Sequence, residues 1–331
     1  MTSAALIRNS VSSVIGYHFV ALLTIAIWGS TFVFTKILLQ NGISPAQIFT
    51  LRFIIAYVLL LLCCRAKGRR FKLFADSWRD ELVMLLLGIT GGSVYFLTEN
   101  ASMLYTTATN TSLIVCTCPL FAMLLIAIVY RHSEQDRITL LQTMGSLIAC
   151  LGMAVVVLNG RFVLHLSPLG DLLAFGACLS WAFYSLLMKS VLTRYDTLFL
   201  TRKVFFYGIL TILPYYLVEP GFPPLEVLLR PAVLWNLLFL SVVASMLCFV
   251  MWNWVIARLG AVVATNWAYF NPVTTVIFAW WLLREPITVW FLLGGILIIV
   301  GMLLLTRESI GLVNEIGKKL LRYIRKKEAN E

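Results

Sequence analysis

The sequence predicts an all-α polytopic membrane protein: ten transmembrane helices arranged as two inverted five-helix repeats. Three observations predict it. The first is composition. Of 331 residues, 60% are hydrophobic and only 12% charged, with a mean hydropathy of +0.91. A soluble domain is about half apolar and about a quarter charged, because its surface must face water. A bilayer lifts that requirement. The second is segmentation. The apolar residues fall into about ten runs of roughly 20 residues, the length that crosses about 30 Å of hydrocarbon. The runs are continuous rather than alternating, which excludes a β-barrel. The third is recurrence. Matching side chains return at a nearly constant offset of 153 positions through five consecutive runs.

The predicted spans are 17–39, 45–64, 81–103, 106–130, 138–158, 169–189, 198–218, 233–257, 261–283 and 287–306. The first contains Trp28-Gly29-Ser30-Thr31-Phe32 and is read as a true span, because no small-residue cleavage site follows a short apolar core. The second carries Arg52, and the third Tyr95, Glu99 and Asn100. The fourth carries Asn110 and a central Pro119, and the fifth Gly145 and Gly152. The sixth carries Trp181, Tyr184 and Lys189, the seventh Arg202-Lys203, and the eighth Asn253. The ninth carries Asn266, Trp267, Asn271 and Pro272, and the tenth Gly294 and Gly301. Only the connections 65–80, 159–168 and 219–232 exceed a few residues, so no extramembrane domain is expected. The seven cysteines all lie in or beside apolar runs without metal-ligand spacing, and read as small apolar residues rather than disulfides.

Positive charge sets the orientation. Arg65, Lys67, Arg69, Arg70, Lys72 and Arg79 share one loop, and Arg131, Arg137, Arg194 and Arg258 fall on the same side. The tail adds Arg307, Lys318, Lys319, Arg322, Arg325, Lys326 and Lys327, whereas the opposite side holds Arg161, Arg230 and Arg284. Both termini are therefore expected in the cytoplasm. The formal net charge of +11 follows from this bias. Nucleic-acid binding is a poor alternative, because the basic residues flank spans. In the tail, Val313, Ile316, Leu320 and Ile324 recur at helical spacing between lysines and arginines. That pattern lies along an anionic inner leaflet.

The repeat is read from pairs. Trp28 and Trp181, Lys36 and Lys189, Asn100 and Asn253, Ala108 and Ala261, and Pro119 and Pro272 are each 153 apart. Thr50 and Thr201, and Arg52 and Lys203, are 151 apart; Gly145 and Gly294, and Gly152 and Gly301, are 149 apart. Residues 17–158 then form the first repeat, 169–306 the second, and 309–331 a basic amphipathic cytoplasmic tail. An odd number of spans per repeat inverts the second. Such architectures place a substrate site near the midplane between the halves and alternate access by rocking.

The ten spans, the duplicated five-helix unit, Trp28-Gly-Ser-Thr-Phe, and the order proline, charged turn, Gly-x6-Gly together resemble the EamA-type branch of the drug/metabolite transporter superfamily. The resemblance covers about residues 17 to 306. It implies a multi-pass carrier of the bacterial inner membrane, commonly an efflux system for small metabolites. It also implies a cavity lined mainly by spans 1, 3, 4, 6, 8 and 9. The sequence departs from the family pattern at the first charged turn, where Asp136 stands in register with Glu134 nearby, against Glu285 in the second half.

The residues expected to carry transport follow from the cost of polarity in hydrocarbon. Pro119 and Pro272 each remove a backbone donor and free the carbonyls of Val115 and Ala268, for a cavity or a hinge. They are expected to face each other across the cavity. Glu99 is the one carboxylate placed well inside a span. It is either half of a structural ion pair with Arg52 or Lys36, or a proton-coupling group. Asn100, Asn110, Asn253 and Asn271 need partners or a wet cavity. Trp28, Trp181, Tyr95, Tyr184 and Trp267 suit walls that stack on a flat or apolar substrate. Trp252, Trp254, Trp280, Trp281, Trp235 and Trp290 read as packing or interfacial-belt residues. The four glycines of spans 5 and 10 mark close packing, either of those spans on each other or in a dimer; monomer and homodimer both remain open.

There is no P-loop, metal-ligand cluster or nucleophile elbow, so no cofactor is expected and a gradient would supply the energy. The expected function is secondary export of an amino acid or a related aromatic or amphipathic compound. The alternative is a nucleotide-sugar or phosphorylated-sugar exchanger, which would draw on Lys36, Arg52, Arg202 and Lys203. A lipid-modifying enzyme would need a nucleophile–base pair at one depth. A non-transporting partner protein would need more docking surface than these loops provide.

Overall fold

The computed structural model describes residues 3–66, 72–106, 108–131, 139–158, 167–218, 221–283, 289–290 and 292–304. Among them the chain is helical and no strand occurs. The helices are α1 (Ser3–Gln40), α2 (Pro45–Ala66), α3 (Trp78–Tyr105), α4 (Ala108–Val115), α5 (Cys118–Val129) and α6 (Leu140–Leu158). After them come α7 (Pro168–Val191), α8 (Thr197–Leu217), α9 (Pro231–Leu259), α10 (Ala261–Asn266), α11 (Asn271–Leu283) and α12 (Leu292–Leu304). Seven of the described helical stretches are long and apolar enough to cross a membrane, and two shorter apolar helices accompany them. The charged turns at Asp136 and Glu285 and the basic tail lie outside the described residues.

Two predicted spans are broken rather than continuous. The stretch 106–130 stops as α4 and restarts as α5, with Cys116 and Thr117 in the turn between them. The stretch 261–283 runs as α10, a 3₁₀ turn at Trp267–Phe270, and then α11. Proline is the cause at both points. Inside a helix its ring clashes with the carbonyl four residues back, but in the first turn its missing N–H costs nothing. The chain restarts the helix so that Pro119 and Pro272 fall in that first turn.

Two further irregularities are π turns, Ile89–Ser93 within α3 and Phe239–Leu247 within α9. A π turn frees backbone groups that a regular helix would occupy. Here side chains take them: Ser180 donates to Thr90 O at 2.7 Å, and Trp28 Nε1 donates to Ala244 O at 2.8 Å.

The closest packing joins helices before residue 158 to helices after residue 168. Helix α3 packs on α7 and α9 on α1; α5 packs on α7 and α11 on α1; α3 packs on α8 and α9 on α2. The main core, rich in Phe49, Phe53, Phe96, Phe205, Phe249 and Trp252, therefore sits between the two halves. Helices α6 and α12 pack on each other. A Cβ on Gly152 would lie 2.6 Å from Ile298 N, and one on Gly301 2.6 Å from Gly145 O. Glycine permits the backbones to touch, as close membrane helix pairs require.

Candidate functional site

A cavity of about 40 Å³ lies in the main core. Its walls come from α1, α3, the α4–α5 break, α7, α9 and the Ala268–Asn271 turn, with Arg52 added from α2. Many lining residues fall in pairs 153 positions apart: Trp28 with Trp181, Phe96 with Phe249, Glu99 with Trp252, Val115 with Ala268, and Cys118 with Asn271. The two residues whose carbonyls the prolines were expected to free, Val115 and Ala268, are one of these pairs. The prolines themselves are buried behind the wall and do not face each other across it.

One basic and one acidic side chain reach the chamber. Arg52 is 2% exposed; its Nε donates to Ser245 Oγ, and its guanidinium lies 4.7 Å from the Phe96 ring centre. The cation–π contact partly replaces lost water, at about 0.5–2 kcal/mol. Ser245 belongs to the π turn of α9, so one irregular turn holds both Arg52 and Trp28. Glu99 is 6% exposed and accepts a hydrogen bond of 2.8 Å from Tyr95 Oη. No salt bridge forms between Glu99 and Arg52. Lys36, the other proposed partner, donates to Met103 O at 2.7 Å and does not line the chamber.

The aromatic wall is a cluster of edge-on and tilted rings. Trp28 meets Trp181 at 5.4 Å and 90°, and Trp252 at 5.2 Å; Tyr95 meets Trp181 at 4.9 Å. Asn271 also lines the chamber, and its Oδ1 is buried without a hydrogen-bond partner. Gly29, beside Trp28, makes room for it. A Cβ there would fall 2.5 Å from Asn271 O, and Thr275 Oγ1 donates to Gly29 O at 2.7 Å.

The other named residues lie elsewhere. Asn100 Nδ2 donates to Pro45 O at 3.2 Å and ties α3 to α2. Asn253 accepts from Tyr184 Oη at 2.7 Å and donates to Thr201 Oγ1 at 2.8 Å, linking α9, α7 and α8. Trp267 Nε1 donates to His18 Nδ1 at 3.1 Å. The Asn110 side chain lies outside the described residues. Trp252, read from sequence as packing, is fully buried and lines the chamber as well.

One end of the bundle is polar. Asp80 bonds Arg194 at 2.7 Å and Tyr195 Oη at 2.8 Å, while Glu81 bonds Lys203, Tyr207 and, at 2.6 Å, the Ala75 N–H. These contacts tie the start of α3 to α8 and the turn before it. Just outside the span, the Lys72 ammonium holds the exposed Asp76 carboxyl below its usual range.

A multi-pass helical membrane protein, with a polar and aromatic chamber between interleaved halves, is the class that this fold and site define. The chain belongs to the EamA-like transporter family, whose sequence model matches residues 15–158 and again residues 168–307. It is a transporter rather than an enzyme. An uncharacterized transporter of Archaeoglobus fulgidus is 28% identical over 88% of this chain and 98% of its own length. A probable terminal-alkyne amino-acid exporter of Streptantibioticus cattleyicolor is 28% identical over 87% of this chain and 93% of its own length. A solved crystal structure with 17% identity superposes at a TM-score of 0.72, over 89% of this chain and 97% of that one, and shares the fold.

Proposed function

We propose that this protein is a secondary exporter of a small zwitterionic metabolite, an amino acid or a related aromatic or amphipathic compound. The observation that carries this reading is the chamber's paired but unbonded chemistry. Arg52 offers a fork of donors suited to a carboxylate. Glu99 offers a counter-charge for an ammonium, and the Trp28, Trp181 and Trp252 rings an apolar or cation–π wall. Asn271 Oδ1 waits for a donor. At about 40 Å³ the chamber holds roughly three waters at about 10–15 Å³ each, far short of the roughly 300–1,000 Å³ of a ligand site. The chamber as it stands is too small for a substrate, which enters only when the halves move.

Alternating access between two inverted five-helix repeats, 17–158 and 169–306, supplies that movement. Four features support the repeat. These are the two ranges of the family match, the paired chamber residues, the recurring helix pairings, and π turns that correspond at the 153-residue offset. Adding α6, α12 and the broken stretch α10–α11 to the seven long helices brings the spans to ten. The bacterial inner membrane, with both termini in the cytoplasm, is the setting that the basic loops favour. The phosphorylated-sugar alternative has less support. Among the described residues the chamber holds one cation, whereas Arg202 and Lys203 line a different groove and Lys36 bonds a carbonyl.

The test is counterflow in proteoliposomes with a panel of amino acids and phosphorylated sugars. Movement of a zwitterion that Arg52→Gln and Glu99→Gln both impair supports the reading. Movement of none of the panel in either direction, or of phosphorylated sugars alone, overturns it.

A further inference from the structure

A histidine outside the chamber holds a turn that lines it. Trp267 opens the 3₁₀ turn Trp267–Phe270; Ala268 of that turn and Asn271 just after it line the chamber. Trp267 Nε1 donates to Nδ1 of His18, on α1, at 3.1 Å, and the two ring centres are 5.8 Å apart. His18 is 5% exposed, does not line the chamber, and keeps Nε2 buried without a partner. It sits four residues, about 6 Å, into the apolar stretch Val14–Gln40. We propose that His18 couples transport to protons: its Nδ1 takes up a proton and thereby releases the turn. The proposal rests on the reading of this protein as a gradient-driven exporter.

An indole N–H can only donate, so the imidazole nitrogen it meets carries no proton. His18 is therefore neutral in this conformation, with its one proton on Nε2. A proton taken from water adds to the Nδ1 lone pair and sets N–H against N–H. The one interaction lost is the hydrogen bond from Trp267. The packed state offers the imidazolium nothing in return, since Nε2 already lacks an acceptor. The charged groups on the elements packed against α1 are Arg258 of α9, Arg52 and Arg65 of α2, and Glu99 on the later part of α3. Arg258 lies over the Tyr17 ring at 5.8 Å, Arg52 and Glu99 belong to the chamber, and the turn and α11 carry no charge. Tyr17 and Tyr269 are the titratable hydroxyls of α1 and the turn. Among the described residues none of these groups bonds His18, so no carboxylate cancels the new charge and the turn must give way. The chamber wall is complete only with the turn bonded. Substrate and proton then exclude each other, and substrate binding expels the proton. Histidine changes charge between about pH 5 and 8, the range in which a proton gradient acts.

The experiment uses the full-length protein in proteoliposomes, with an amino acid that the unaltered protein moves. Two rates are compared: counterflow at equal pH on both sides, and accumulation driven by a pH difference. His18→Asn is the informative variant, because its amide oxygen still accepts from Trp267 but does not titrate. It is expected to keep counterflow within about twofold and to lose about tenfold or more of the pH-driven accumulation. Trp267→Phe leaves the histidine to titrate but removes the donor, and is expected to lose the same accumulation. Wild-type accumulation in either variant overturns the proposal. An equal loss of counterflow and accumulation in His18→Asn also overturns it, since a purely structural histidine would behave that way. Counterflow without any pH-driven accumulation in the unaltered protein overturns it too, and leaves the exporter reading standing. Movement of no amino acid at all overturns both.

Discussion

Arg52 and Lys203 stand at corresponding positions of the two halves, 151 residues apart, and are 2% and 4% exposed. What they meet differs. Lys203 bonds directly to Glu81, whose remaining contacts are Tyr207 and the Ala75 N–H. Its charge is used up in joining α3 to α8. Arg52 has a hydroxyl and two aromatic rings but no bonded carboxylate, although Glu99 lines the same chamber. A buried charge without an ionic partner is expensive, and in a membrane span it is retained for function. The difference teaches how to tell a binding cation from a structural one when both sit on the same scaffold. Burial does not separate them; the presence of a bonded counter-ion does.

The strongest way to break the comparison is to remove the chamber's charges. Arg52→Gln is expected to lower transport about tenfold or more, because a substrate carboxylate then enters without its ionic partner. Glu99→Gln is expected to do the same, with the larger loss for substrates that carry an ammonium. Transport assays across substrates with and without that group check both. Next in size is Lys203→Met, which strands Glu81 at the end of the bundle. A fully buried broken pair costs about 3–5 kcal/mol. Glu81 is 19% exposed and keeps two other donors, so about 1–3 kcal/mol is expected here, read as a fall in thermal stability in detergent. Substrate affinity should be unchanged. If affinity falls as far as in Arg52→Gln, the distinction between the two cations is wrong. A third measurement sharpens it. Adding Glu81→Gln to Lys203→Met removes both charges and should recover most of the lost stability, since no unpaired ion is left.

The all-helical, membrane-spanning character of the fold was readable because hydropathy survives in the raw chain. The site was half readable. Trp28, Tyr95, Glu99, Arg52, Trp181 and Asn271 all reach the chamber, and each was singled out for polarity or aromatic character at depth. Hydropathy reports depth but not azimuth around the helix, and Asn100, Asn253, Tyr184 and Trp267 do not line the chamber. Those four hydrogen-bond to neighbouring helices instead, although Asn100 Oδ1 is left buried without a partner. Phe96, Phe249 and Trp252 were missed. The signal for the first two was present, since they stand 153 apart like the two tryptophans, but a phenylalanine in an apolar run draws no attention. The helix breaks were underestimated for a related reason. A proline marks where a helix restarts, yet nothing in the sequence shows that the freed turn faces a cavity.

The smallest predicted effect concerns a polar group that belongs to the fold alone. Tyr184 donates to Asn253, which passes a hydrogen bond on to Thr201, and its ring lies 4.9 Å from that of Trp181. Tyr184→Phe keeps the ring and removes only the hydroxyl. Asn253 Oδ1 then loses its donor in a buried position, at about 1 kcal/mol. Thermal stability should fall slightly, while the apparent affinity for substrate stays constant, because Tyr184 does not line the chamber. Tyr95→Phe is the matched contrast. It removes a hydroxyl of the same chemistry, but one bonded to Glu99 inside the chamber, so it should alter affinity as well as stability. If the two variants behave alike, the chamber extends further toward α9 than its present walls, and Asn253 belongs to it.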